Sequence, residues 1–151
     1  NYFDEPNFFF SNNSNLDYCY GGVVLLGKKK ENIYMPKLLT KNTDFLQSMP
    51  FPHPALFVKK QIFLKVGYFD LTKKITADHE WIVRLIKSGA KGKKMDNCVV
   101  KFKLGGQSLK FSAQIEVFKT AIENKRNLFL GIIFFVRQLI VYFYYFIKSK
   151  L

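Results

Sequence analysis

Acidic residues are scarce in this chain beside its basic ones. Eleven Asp and Glu stand against 24 Lys and Arg, a formal charge of +13 over 151 residues, and no acidic residue follows Glu123. A field of that sign attracts anions such as phosphorylated substrates, acidic lipid headgroups or nucleic acid. Part of the surplus reflects a background rich in Lys, Asn and Phe; the one-sided C-terminal end is not explained by it. No recognised nucleic-acid-binding motif accompanies the charge, so nucleic acid is not the expected partner. Cysteine is nearly absent. Cys19 and Cys98 lie far apart and lack metal-ligand spacing, which argues against a disulfide framework and against a zinc site. Reduced thiols in a cytoplasmic compartment are the simpler expectation. Neither His-x-x-x-His nor Cys-x-x-Cys occurs, and there are no internal repeats. Nothing resembling a signal peptide precedes the first strand-like run, and residue 1 is Asn. The expectation is a piece of a longer protein, itself long enough for one domain with a real core.

Residues 1 to 16 are polar and Asn-rich around Phe8-Phe9-Phe10, with no clear period. Asp17 to Leu26 reads as a strand, and Gly21-Gly22 inside it predicts a bulge or a close backbone approach. Asn32 to Met35 is a short partner strand across the turn Lys28 to Glu31. Lys37 to Gln47 reads as a short helix leading into an extended segment. Pro50, Pro52 and Pro54 hold the next stretch extended, because each disfavours helical backbone in the residue before it. A short buried strand follows over Ala55 to Val58, then a helical turn over Lys60 to Val66 stopped by Gly67. Thr76 can cap a helix whose apolar face is Trp81, Ile82, Leu85 and Ile86, closed by Gly89. Asn97 to Lys103 alternates like a strand until Gly105-Gly106 breaks it, and Ser112 to Lys125 is helical in period. Short strands separated by helices fit an α/β layer.

Chemistry-bearing residues fall in a definite order. Pro50-Phe51-Pro52-His53-Pro54-Ala55 comes first, then Gly67-Tyr68-Phe69-Asp70. Ala77-Asp78-His79-Glu80-Trp81 with Arg84-Leu85 follows, and Gly89 and Gly105-Gly106-Gln107-Ser108 close the series. Taken singly, each piece has an ordinary reading. Asp78 in a first helical turn suits the macrodipole and the unpaired N–H groups there. His53 can be a loop histidine bonded to backbone, Trp81 lies on the apolar stripe, Gly67 and Asp70 mark a turn, and Gly105-Gly106 can simply connect elements. Asp78, His79 and Glu80 cannot converge on one metal ion, since consecutive helical residues point about 100° apart.

Taken together, these pieces resemble, over residues 15 to 110, the acceptor-side half of family-2 glycosyltransferases, inverting enzymes of the GT-A fold that use nucleotide-sugars. The resemblance implies residues 1–110 as the C-terminal half of a GT-A domain (the nucleotide-diphospho-sugar transferase fold); outside it, 111–127 reads as a linking helix and 128–151 as a membrane-associating or packing helix. It implies Asp78 as the general base that takes the acceptor hydroxyl's proton. His53, Glu80 and Trp81 would contact substrate, with Gly105, Gly106, Gln107 and Ser108 as a lip over it. Arg84 would orient the helix. The family's Asp-x-Asp motif, which holds Mg²⁺ or Mn²⁺ against the leaving diphosphate, has no counterpart here. The ion and the donor site are therefore expected upstream, and the chain alone is expected to show little transfer. The implied partners are a nucleotide-sugar donor and a glycan or lipid-linked acceptor at a membrane's cytosolic face.

Phe129 to Ile147 contains thirteen Leu, Ile, Val or Phe in nineteen residues, interrupted by Arg137-Gln138. A central Arg costs about 2.5–3.5 kcal/mol on insertion scales, against roughly 0.3–0.6 returned by each large apolar side chain, so spanning is near balance. Arg137, Val141, Tyr144, Tyr145 and Lys148 share one side of a helical wheel opposite Phe135, Leu139, Phe143 and Phe146, which favours a helix lying in an anionic membrane interface. Packing on another part of the protein is the alternative. A non-catalytic basic membrane-surface module is the rival reading of the whole chain.

Overall fold

A computed structural model describes residues 4–26, 31–40, 45–46, 49–103, 111–124 and 128–148. They form a mixed α/β structure organised around one strand. β1 (Tyr18–Leu26) pairs in parallel with β4 (Gly92–Lys103) from one end to the other. The opposite edge of β1 is shared by two antiparallel strands, β3 (Leu56–Val58) against Tyr18 to Tyr20 and β2 (Glu31–Tyr34) against Val23 to Leu26. Six consecutive residues from Tyr18 to Val23 are buried, so this part of β1 is covered on both faces of the sheet.

Two glycines make the parallel pairing possible. The β1/β4 register shifts on either side of Gly22, the bulge expected of Gly21-Gly22. A Cβ on Gly21 would stand 2.9 Å from the Asn97 carbonyl oxygen. Gly92 faces Tyr18 in the register, and a Cβ there would fall 1.9 Å from the Tyr18 ring. Only a residue without a side chain lets that ring lie across β4.

Helices α1 (Asp4–Asn12), α2 (Ile62–Val66), α3 (Ala77–Lys87), α4 (Phe111–Glu123) and α5 (Leu128–Lys148) complete the described structure. Helix α1 occupies a segment whose sequence carries no apolar period. Its start is favoured instead by Asp4 and Glu5 in the first turn, with Pro6 beside them. The helix expected in Lys37 to Gln47 does not appear in its described part, where 35–40 is irregular and 45–46 is a turn; 41–44 and 47–48 lie outside the described residues.

The core lies between the sheet and α3. Tyr18, Tyr20, Phe51, Ile62, Trp81, Ile82 and Leu85 form one buried cluster. Phe51 stacks on Tyr20 with ring centroids 4.4 Å apart, and Trp81 stacks on Phe63 at 4.9 Å. Each such ring contributes roughly 1.5–3 kcal/mol by leaving water. The Tyr20 hydroxyl accepts the Leu39 N–H at 3.0 Å, tying the irregular segment to the sheet.

Helices α4 and α5 form a hairpin. Gly131 lets α5 approach α4, where a Cβ would meet Ile122 at 3.2 Å, and the Phe118 and Phe135 rings pack at 5.0 Å. Among the described residues no helix is long and apolar enough to cross a membrane.

Candidate functional site

The run into β3, expected to be extended with a strand beginning at Ala55, tightens first into a helical turn, and the strand begins at Leu56. Phe51 and Ala55 are buried while His53, between them, is exposed. The prolines at 52 and 54 lead the chain into a single 3-10 turn over His53–Ala55, so the imidazole is carried on a stiff segment nailed down on both sides. Across from it, α3 begins. Its first turn presents Asp78 half-exposed, and Asp78 Oδ2 stands 3.6 Å from His53 Nδ1. The other oxygen, Oδ1, accepts the N–H of His79 at 2.8 Å, satisfying one of the donors that every helix start leaves unpaired. Asp78 thus fills both roles open to it in the sequence. One oxygen anchors the helix and the other faces His53 and solvent.

The start of α3 is fixed from three directions. Thr76 is the N-cap residue, as expected, but its hydroxyl does not cap the helix. It donates instead to Glu116 on α4 at 3.1 Å, and the same Glu116 oxygen accepts the backbone N–H groups of Ile75 and Thr76 at 3.0 and 3.1 Å. Burial pushes the Glu116 carboxyl upward, and hydrogen bonds from Ile75, Thr76 and Lys74 outweigh it, so the group ionises below its ordinary range. His79 turns inward and is buried, with Nε2–H donating to the Phe45 carbonyl at 2.9 Å. This bond ties α3 to the segment that leads into His53.

Glu80 and Trp81 are used by the fold. Both Glu80 oxygens hold the Arg84 guanidinium, at 2.7 and 2.9 Å, one helical turn further on. Arg84 also donates to the carbonyls of Val66 at 2.5 Å and Tyr68 at 2.7 Å, and Trp81 Nε1–H donates to Gly67 at 2.7 Å. These bonds close the C-terminal end of α2, where Gly67 adopts φ 84°. Trp81 is 1% exposed, which leaves no ring face open to a sugar. The Trp81 ring belongs to the core, and Glu80 is the partner of Arg84. Asp70 accepts both the N–H and the hydroxyl of Thr72, and these bonds hold its carboxyl below the usual range; the turn role expected of it stands. Gly105, Gly106, Gln107 and Ser108 lie outside the described residues.

Of the expected site residues, His53 and Asp78 are therefore the two brought together. Glu116 and His79 hold that pair in place, and sequence reasoning assigned neither of them a role. No signal in the sequence points to Glu116, which is 40 and 41 positions from the groups it binds. A recess of about 380 Å³ lies elsewhere, lined by Lys60, Gln61, Phe63, Leu64 and Tyr68 beside α2. It contains no acid–base pair, so the chemistry is better sought at Asp78 than in that hollow. Among the described residues no group of three His, Cys, Asp or Glu could hold a metal ion.

The class defined by these observations is a mixed α/β chain with a paired His and Asp at the mouth of its central layer. Compared with known protein families, curated proteins and solved structures, the chain matches none.

Proposed function

We propose that this chain is the acceptor-side part of an inverting glycosyltransferase of GT-A type, with Asp78 as its general base. The observation that carries the reading is the pairing of Asp78 with His53 on two rigid, separately anchored segments, 3.6 Å apart and open to solvent. Both residues stand in the ordered series of motifs from which the resemblance was drawn. In the reaction an acceptor hydroxyl oxygen forms a bond to the anomeric carbon of the donor sugar. The bond from that carbon to the nucleoside diphosphate breaks, the diphosphate leaves with its electron pair, and the hydroxyl proton passes to Asp78.

A carboxylate suits this step because it can accept the hydroxyl proton, and Asp78 has one oxygen not committed to the helix. His53, 3.6 Å from that oxygen and exposed beside it, lines the same opening and can contact substrate oxygens. The described residues supply no ligand set for Mg²⁺ or Mn²⁺, so no step here is assigned to a metal. The donor-binding half and any ion it holds belong to residues elsewhere in a longer polypeptide.

The test uses such a polypeptide, assayed with nucleotide-sugar donors as Asp78 and as Asp78→Asn. Asparagine keeps the oxygen that accepts the His79 N–H and loses only the base. Transfer is expected to fall about 10²–10⁴-fold while donor binding persists. Normal transfer by the variant would reduce Asp78 to a helix cap.

A further inference from the structure

The α4–α5 hairpin leaves one face of α5 unaccounted for. Gly131 is buried and Phe135 half-buried against α4, yet Ile132, Ile133, Val136 and Ile140 are all exposed. At 3.6 residues per turn these four aliphatic side chains fall within a stripe about 100° wide, offset from the face that meets α4. Ile140 alone is 65% exposed. An apolar stripe of this length on a charged protein marks a contact surface.

We infer that this stripe docks into the interface of an anionic lipid bilayer, with α5 lying in the membrane plane. Charge chooses the occupant. The 28 residues after Glu123 contain Lys125, Arg126, Arg137, Lys148 and Lys150 and no acid. Arg137 is exposed on α5, and Lys119 is exposed on α4. Glu123, exposed at the end of α4, is the last acid and is paired with Lys73, so the charge along α5 itself is cationic, which matches acidic headgroups above an acyl layer. A second copy is disfavoured by the same count, because two chains of charge +13 would have to meet through like-charged surroundings. The inference stands on α5 and does not depend on glycosyl transfer.

The test is co-sedimentation of the intact chain with vesicles of phosphatidylcholine, alone or with about one-third phosphatidylserine. The chain is expected to bind the anionic vesicles, to bind the neutral ones weakly, and to be released as salt rises. Ile133→Asp with Ile140→Asp places two charges on the stripe at exposed positions that the fold tolerates. Partition onto anionic vesicles should fall about tenfold or more. Arg137→Glu should weaken binding to anionic vesicles only, and Leu64→Asp, at an exposed position on α2, should leave it unchanged. Undiminished binding by the double variant overturns the inference. So does a wild-type chain that ignores both vesicles and sediments as a dimer which the double variant dissociates.

Discussion

Replacing Glu116 should loosen the start of α3 and, with it, the seat of Asp78. In the folded chain one Glu116 oxygen receives three hydrogen bonds, from the N–H groups of Ile75 and Thr76 and from the Thr76 hydroxyl. Thr76 is buried, so water does not easily replace the lost acceptor. A hydrogen bond to a charged group is worth about 1.5–3 kcal/mol, and the three share one oxygen and cannot be added in full. The loss of a helix cap costs about 0.5–2 kcal/mol. Glu116→Ala is therefore expected to cost about 2–3 kcal/mol near neutral pH, and Glu116→Gln, which keeps a neutral acceptor, about 1 kcal/mol. Urea denaturation followed by the fluorescence of buried Trp81 reads both values.

The pH dependence has a definite sign. The folded carboxyl lies below its ordinary value of 4.5, so the unfolded chain binds the proton more tightly. The stabilisation is complete above that ordinary value and is lost as pH falls through the lower folded one. The gap between wild type and Glu116→Gln should accordingly be widest at neutral pH and close in acid. A cost below about 0.5 kcal/mol for Glu116→Ala, which is the range of ordinary surface changes, would refute the assignment. A gap constant down to strongly acid pH would refute its electrostatic part.

Two further outcomes follow from the sheet. Gly92→Ala should destabilise the chain by about 2–3 kcal/mol or more, since its Cβ would fall inside the Tyr18 ring; in Tyr18→Ala the same change should cost far less, a coupling that a double-mutant cycle measures. Cys19 is fully buried, and burial pushes its thiol up to about 12 from 9.0, while burial chiefly pushes the Tyr18 hydroxyl to about 12 from 10.0. Both groups stay protonated in the fold, so stability is full below those ordinary values and declines as pH rises from 9.0 toward about 12. Cys19 should also resist thiol reagents until the chain is unfolded; rapid labelling in the native state would contradict its burial.

Local pattern made most of the elements legible. The strand over Tyr18–Leu26, the helix over Ala77–Lys87 and the helical stops at Gly67 and Gly89 follow from periodicity and glycine chemistry, which act within a few residues. The long apolar helix at the C-terminal end was legible for the same reason, since it needs only its own run of side chains. Helix α1 was not, because its segment has no apolar face to read and its start is favoured by end charges and Pro6. The Thr76 cap was half legible. Its position follows from sequence, but its hydroxyl is drawn away by a carboxylate 40 residues distant.

By itself, then, the sequence marked which residues could carry acid–base chemistry and placed Asp78 on its helix, while His53, expected on an extended run, stands on a 3-10 turn. It could not say which of them the fold would spend on its own stability. Glu80 and Trp81 sit within three positions of Asp78 along the chain, yet a helix sends neighbours in different directions, and theirs leads to Arg84 and the core. His53 lies 25 positions from Asp78 in the sequence, and only the packing of Phe51 on Tyr20 and of α3 on the sheet brings their side chains to 3.6 Å. Contacts of that kind belong to no local segment. They exist because burying apolar rings together is worth more than the chain entropy of closing the loop between them.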